Sequence, residues 1–160
     1  MKIIIRDDIP AASSRNQRLA KPVIDLATAP YAILVLRVSL GLLFVAHGGL
    51  KVFTFTLPGT AQFFISIGLP GFLAAPVAIA EILGGLLLLA GIYTRWVALV
   101  LFPILLVATF KVHGANGWLF SNEGGGWEFP ALFAIACIVQ FLLGDGAWAI
   151  GSIGQRRASN

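Results

Sequence analysis

Polar and apolar residues in this chain separate into long blocks, not into stripes. Four apolar runs, about 31–53, 71–91, 95–113 and 128–148, each approach the roughly 20 residues that cross about 30 Å of hydrocarbon. The pattern predicts an all-α membrane protein, a bundle of four transmembrane helices. Residues 1–30 are mixed and polar, with Pro10, Pro22 and Pro30, and read as a water-exposed arm; residues 151–160 form a short polar tail. The arm holds no signal-peptide core, so span one is expected to serve as an uncleaved insertion signal. The loop 54–70 is bounded by Pro58 and Pro70 around an apolar centre too short to span, which predicts a short helix lying at the interface. Residues 91–95 leave room only for a tight hairpin. The loop 114–126 ends in Gly124-Gly125-Gly126, a sign of mobility or of a close backbone approach. Pro103, in the middle of span three, predicts a kink.

Composition sharpens this reading. The chain is 58% hydrophobic and 11% charged, far from the roughly 25% charge of a soluble domain, and its mean hydropathy is +0.91. The net charge of +4 therefore concerns topology, with no nucleic-acid partner implied. Four spans place both termini on one side. Lys2, Arg6, Arg15, Arg18, Lys21, Arg37, Arg95, Arg156 and Arg157 fall on or near that side, Lys51 and Lys111 on the other. The positive-inside rule then makes both termini cytoplasmic. Tyr31, Tyr93, Trp96 and Trp148 are expected as aromatic anchors at the inner interface, Trp118 and Trp127 at the outer one.

Ionisable groups inside the spans are the candidate chemistry, because each is costly at membrane depth. Positions 37, 41, 44, 48 and 51 step by four and three, so Arg37, Gly41, Phe44, Gly48 and Lys51 share one face of span one. In the predicted orientation His47 and Lys51 of span one, Glu81 of span two, Lys111 and His113 of span three and Glu128 of span four gather in the outer half. Glu81 is the sharpest signal, being mid-membrane and too short to snorkel. A Glu81–Lys51 or Glu81–His47 pair that only fixes packing is the competing reading. Lys111 and His113 lie about 200° apart on a helix, and His113 is the better inward candidate. Glu128 also suits a helix N-terminus, and Arg37 an interface anchor.

Other chemistry is weakly signalled. A bis-histidine haem site from His47 and His113 is disfavoured, since lone membrane histidines more often hydrogen-bond to a neighbouring helix. No ligand spacing points to a metal. The single cysteine, Cys137, excludes an intramolecular disulfide or a CxxC pair within the chain.

The runs LRVSLGLLFVAHGGLKVF, AEILGGLLLLAGIYTRW and KVHGANGWLF followed by GGWEFP resemble the DoxX family of small four-helix membrane proteins. The resemblance covers about residues 31–150. It rests on Arg37, Gly41, His47, Gly48 and Lys51, then Glu81, Gly84, Gly85, Gly91, Thr94 and Arg95, then His113, Asn116, Gly117, Glu128 and Phe129. The arm is longer than the family usually carries. The family is similar to the DoxD-type subunit of thiosulfate:quinone oxidoreductase. The resemblance thus implies an inner-membrane subunit of a redox complex that interacts with quinone. His47, Lys51, Glu81, His113 and Glu128 would line the ligand pocket, with Glu81 and His47 as catalytic proton carriers. Two other readings stay open: a non-catalytic accessory subunit held to protein partners or to further copies of itself, and a small proton-linked transporter.

Overall fold

The computed structural model describes residues 24–151; most of the polar arm and nearly all of the tail lie outside the described residues. Among the described residues five α-helices account for the bundle. Helix α1 is Ala29–Gly49, α2 is Leu57–Ser66, α3 is Ala74–Ala90, α4 is Thr94–Val107 and α5 is Glu128–Leu143. A π-helical turn, Leu50–Thr54, extends α1, and a second, Ala108–Val112, extends α4. Among the described residues three segments, two of them through these extensions, are long and apolar enough to cross a membrane: Ala29–Thr54, Gly71–Ala90 and Thr94–Val112.

The fourth helix is shorter than its apolar run. An α5 reaching 148 is the expectation, but the helix stops at Leu143 after 16 residues. Gly144 and Gly146 take φ of 90° and 72°, a conformation that only glycine adopts freely. They turn the chain back across the bundle, where the Ala147 amide donates to Pro30 O at 2.9 Å and the Gly151 amide to Gly91 O at 3.0 Å. Residues 144–151 thus form a strap tying the start of α1 to the α3–α4 hairpin. Gly91, at φ 72°, ends α3 and makes that hairpin possible.

Two helix pairs make the bundle: α1 packs most extensively on α3, and α4 on α5. The α1–α3 contact is backbone to backbone. A Cβ on Gly85 would stand 2.7 Å from Gly41 O, and one on Gly48 would stand 3.0 Å from Ala78 O. Small residues permit this approach, which membrane helices use in place of a hydrophobic driving force. The closed core, Leu40, Phe44, Leu88, Ala98, Leu101 and Cys137, joins both pairs. The loop 54–70 forms α2, begun by Thr56, whose hydroxyl accepts from the Gly59 amide, and by Pro58 in the first turn.

The strap also settles Arg37. An interface anchor would reach solvent, but Arg37 is 1% exposed and donates from Nη2 to Ala147 O at 3.1 Å. Its Nη1 faces Gly91, where a Cβ would stand 1.8 Å away. The guanidinium lies against the C-terminal end of α3, whose dipole favours a cation.

Neighbouring glycines separate packing from propensity. Gly48→Ala drives a Cβ to 2.7 Å from Ile82 Cγ1, whereas at Gly49 the nearest atom, Phe53 Cδ2, is 3.9 Å away. In detergent, thermal unfolding should show Gly48→Ala destabilised by about 1–3 kcal/mol. Gly49→Ala should be neutral or stabilised by up to about 1 kcal/mol.

Candidate functional site

Away from the strap the two helix pairs diverge, and α2 lies beside the gap. The result is a cleft of about 860 Å³ bounded by residues of all five helices. Its walls are mainly apolar, including Leu40, Phe44, Phe63, Phe64, Val77, Pro103, Phe129 and Phe133. The ionisable groups on it are His47, Lys51, Glu81 and His113. Four of the five candidate site residues from four separate spans or turns thus meet one cavity. Such a shape, apolar with a few convergent polar groups, is the usual form of a small-molecule site.

Lys51 and Glu81 form an ion pair across α1 and α3. Lys51 Nζ donates to both carboxylate oxygens, at 2.9 Å to Oε1 and 2.7 Å to Oε2. The side chains are 19% and 5% exposed. Glu81 lies on the same face of α3 as Ala74, Ala78 and Gly85, so the packing that brings α1 close also brings Lys51 within reach. Lys51 leaves from the π turn, whose wider winding changes the facing of its side chains; such turns recur at functional sites. The Lys51 carbonyl accepts from Thr60 Oγ1 at 3.1 Å, which ties α2 to the same turn. Thr60, 4% exposed, is a site residue that nothing in its apolar stretch of sequence singles out.

Both histidines are oriented by backbone carbonyls. His47 Nδ1 lies 2.9 Å from Leu43 O, one turn back on α1, and His113 Nδ1 lies 3.0 Å from Gly125 O. A carbonyl only accepts, so Nδ1 carries the proton of the neutral ring and Nε2 is left as an acceptor. Neither Nε2 has a hydrogen-bond partner among the described residues. His113 is half-buried and Lys111 exposed.

Glu128 has a different position. Its Oε1 accepts from the Phe120 amide at 2.8 Å, and the residue is not on the cleft wall. From the start of α5 it braces the loop 114–126, which folds back on this helix end: the Trp127 amide donates to Gly117 O and the Glu128 amide to Trp118 O. Asn116 Nδ2 donates to Gly124 O and Gly125 O, at 3.0 and 2.9 Å. The glycine run permits a close approach here, since a Cβ on Gly126 would stand 2.3 Å from Leu119 O. Glu128 and Asn116 therefore shape the loop that presents Gly125 to His113.

The family model DoxX matches residues 32–114. The chain is 47% identical to "Putative oxidoreductase CatD" of Bacillus subtilis over 112 residues, 70% of this chain and 78% of that protein. It is 32% identical to an uncharacterized protein of Haemophilus influenzae, over 76% of this chain and 89% of the relative. It is 33% identical to the inner membrane protein YqjF of Escherichia coli, over 57% of this chain and 72% of the relative. No solved structure matches the chain.

The ion pair can be tested as a pair. Lys51→Met or Glu81→Gln alone strands its partner in an apolar wall. Each should lower stability by more than the ~1 kcal/mol of an exposed pair and by no more than the ~3–5 kcal/mol of a fully buried one. The double variant should recover most of that loss. A double-mutant cycle of thermal unfolding in detergent measures the coupling.

Proposed function

Because this multi-pass inner-membrane chain belongs to the DoxX family, we propose that it is the quinone-interacting membrane subunit of an oxidoreductase. The observation that carries the reading is the cleft itself: an apolar cavity of about 860 Å³ among membrane-crossing helices, with two free imidazole acceptors and one ion pair on its wall. A quinone demands that combination. Its ring and tail are apolar, and its two oxygens need donors when oxidised and acceptors when reduced. The similarity to CatD, which is named as an oxidoreductase, supports the reaction class.

The chain's residues would divide the work as follows. His47 Nε2 accepts the proton of one quinol hydroxyl, and the charge that develops on the ring is shared through Nδ1–H to Leu43 O. Glu81 accepts the second proton on its carboxylate. Lys51, then without an anionic partner, turns its ammonium to the ring oxygen and stabilises the product. His113 Nε2 is a second acceptor on the same wall. Two protons thus reach the protein while two electrons pass to a redox centre of a partner subunit; the reverse sequence reduces a quinone. The four residues supply proton transfer and hydrogen bonding, and the partner supplies the electron path.

A role as an accessory subunit is favoured by one feature. Trp118, Leu119 and Phe120 stand exposed on the glycine-rich loop, an apolar edge suited to a protein neighbour.

Quinone binding tests the main reading. Solvent extraction of the gently purified protein should yield bound quinone, and a short-chain benzoquinone should quench tryptophan fluorescence saturably. His47→Ala and Lys51→Met should each weaken that binding about five- to tenfold, while Ser66→Ala, on the exposed part of α2, should leave it unchanged. Non-saturable quenching, or the same affinity in every variant, would sink the proposal.

A further inference from the structure

The strap end of the bundle holds a second recess, of about 360 Å³, lined by Tyr93, Arg95, Trp96, Gly144 and Asp145. It forms where the α3–α4 hairpin meets the turn after α5, at the opposite end from the quinone cleft. Two opposite charges face it with no ion pair between them: Arg95 is not joined to Asp145, the Lys51–Glu81 pair being the one formed among the described residues, and the buried Arg37 guanidinium attracts Asp145 only at longer range.

Asp145 is held by a neighbour, and Arg95 lies exposed over the turn. Thr94, fully buried, donates from Oγ1 to Asp145 Oδ1 at 2.5 Å. Oδ2 accepts no hydrogen bond among the described residues. Arg95 lies across Gly144, where a Cβ would stand 2.8 Å from Nε and 3.0 Å from Nη2. Its guanidinium also makes no side-chain hydrogen bond among the described residues. Trp96 is braced edge-on by Phe141, with ring centroids 6.1 Å apart. Tyr93 sits at φ 49°, a left-handed conformation that a bulky residue adopts only under constraint.

An anion held by Thr94, an exposed cation and two exposed aromatic rings, set apart around one recess, match a dipolar ligand. The recess lies where the membrane-crossing helices end, the depth of phospholipid headgroups. We propose that it binds the phosphoethanolamine headgroup of a membrane phospholipid. Arg95 takes the phosphate, for which a guanidinium offers paired N–H donors. Asp145 Oδ2 accepts from the primary ammonium, and the rings of Trp96 and Tyr93 add cation–π attraction. A phosphocholine headgroup has no N–H to give Oδ2, and a purely anionic headgroup offers that carboxylate no cation. The role of Arg95 as a simple complement to the C-terminal dipole of α5 would leave Asp145 Oδ2 and the aromatic pair unexplained.

The test is native mass spectrometry of the full chain released from micelles doped equally with phosphatidylethanolamine, phosphatidylcholine and phosphatidylglycerol of matched acyl chains. The wild-type chain should retain phosphatidylethanolamine about tenfold over phosphatidylcholine. Asp145→Asn keeps an acceptor for the Thr94 hydroxyl and should erase the discrimination between ethanolamine and choline. Arg95→Gln should lose the phosphatidylethanolamine adduct, and Arg95→Lys should keep it. Equal retention of the three lipids by the wild-type chain would overturn the proposal without requiring any variant to fold, as would an unchanged preference in Asp145→Asn. Soluble glycerophosphoethanolamine in millimolar excess should fail to displace the lipid; complete displacement would overturn the assignment to a lipid in favour of a soluble phosphoethanolamine ester.

Discussion

The close approach of α1 to α3 is the constraint from which the rest of the bundle follows. Gly41, Gly48 and Gly85 let the two backbones meet with no side chain between them. At that separation Lys51 of one helix reaches Glu81 of the other with both carboxylate oxygens in hydrogen-bond range. Added side-chain bulk at the crossing would part the helices and leave a carboxylate, 5% exposed, among apolar groups. The burial of Glu81 and its neutralisation by Lys51 are therefore consequences of one packing choice, and neither is affordable without the other.

The two ends of the molecule use polar groups in opposite ways. At the strap end, hydrogen bonds tie elements together: Arg37 to Ala147 O, Thr94 to Asp145, Gln140 to Gly144 O, and the strap amides to Pro30 and Gly91. Arg37, Thr94 and Gln140 are each 1% exposed or less. At the other end the helix pairs diverge, and the polar groups line a cleft instead of closing it. The strap holds the four long helices at one end, so the gap between the pairs can open at the other without loss of the bundle.

Within the cleft, imidazole and ammonium groups are oriented by contacts made outside it. Leu43 O and Gly125 O fix the two histidine rings through Nδ1, and Thr60 binds the carbonyl of Lys51. These contacts leave the Nε2 atoms of both histidines unengaged yet in place, while Lys51 Nζ stays bound to Glu81; groups held from outside a cleft in this way are preorganised for a ligand. Glu128 acts at one remove, through the loop that carries Gly125.

The helical class, the apolar spans, the hairpin at Gly91, the helix between Pro58 and Pro70 and the residues His47, Lys51, Glu81 and His113 are legible in the sequence. Their signals are local: run length, proline and glycine punctuation, and charge where charge is expensive. The end of α5 at Leu143 is less legible, because 144–148 stays apolar enough to continue a span while Gly144 and Gly146 take a backbone conformation that hydropathy does not register. The partners were decided in three dimensions. Arg37 reads as an anchor in sequence and becomes a buried donor because the strap passes over it, 110 positions along the chain. Asp145 stands alone in sequence and acquires Thr94 from 51 positions away. Composition and periodicity determined that this chain crosses a membrane with charges inside it; only the tertiary contacts, made between residues far apart in sequence, decided which charges are paired, which are left free and where the cleft opens.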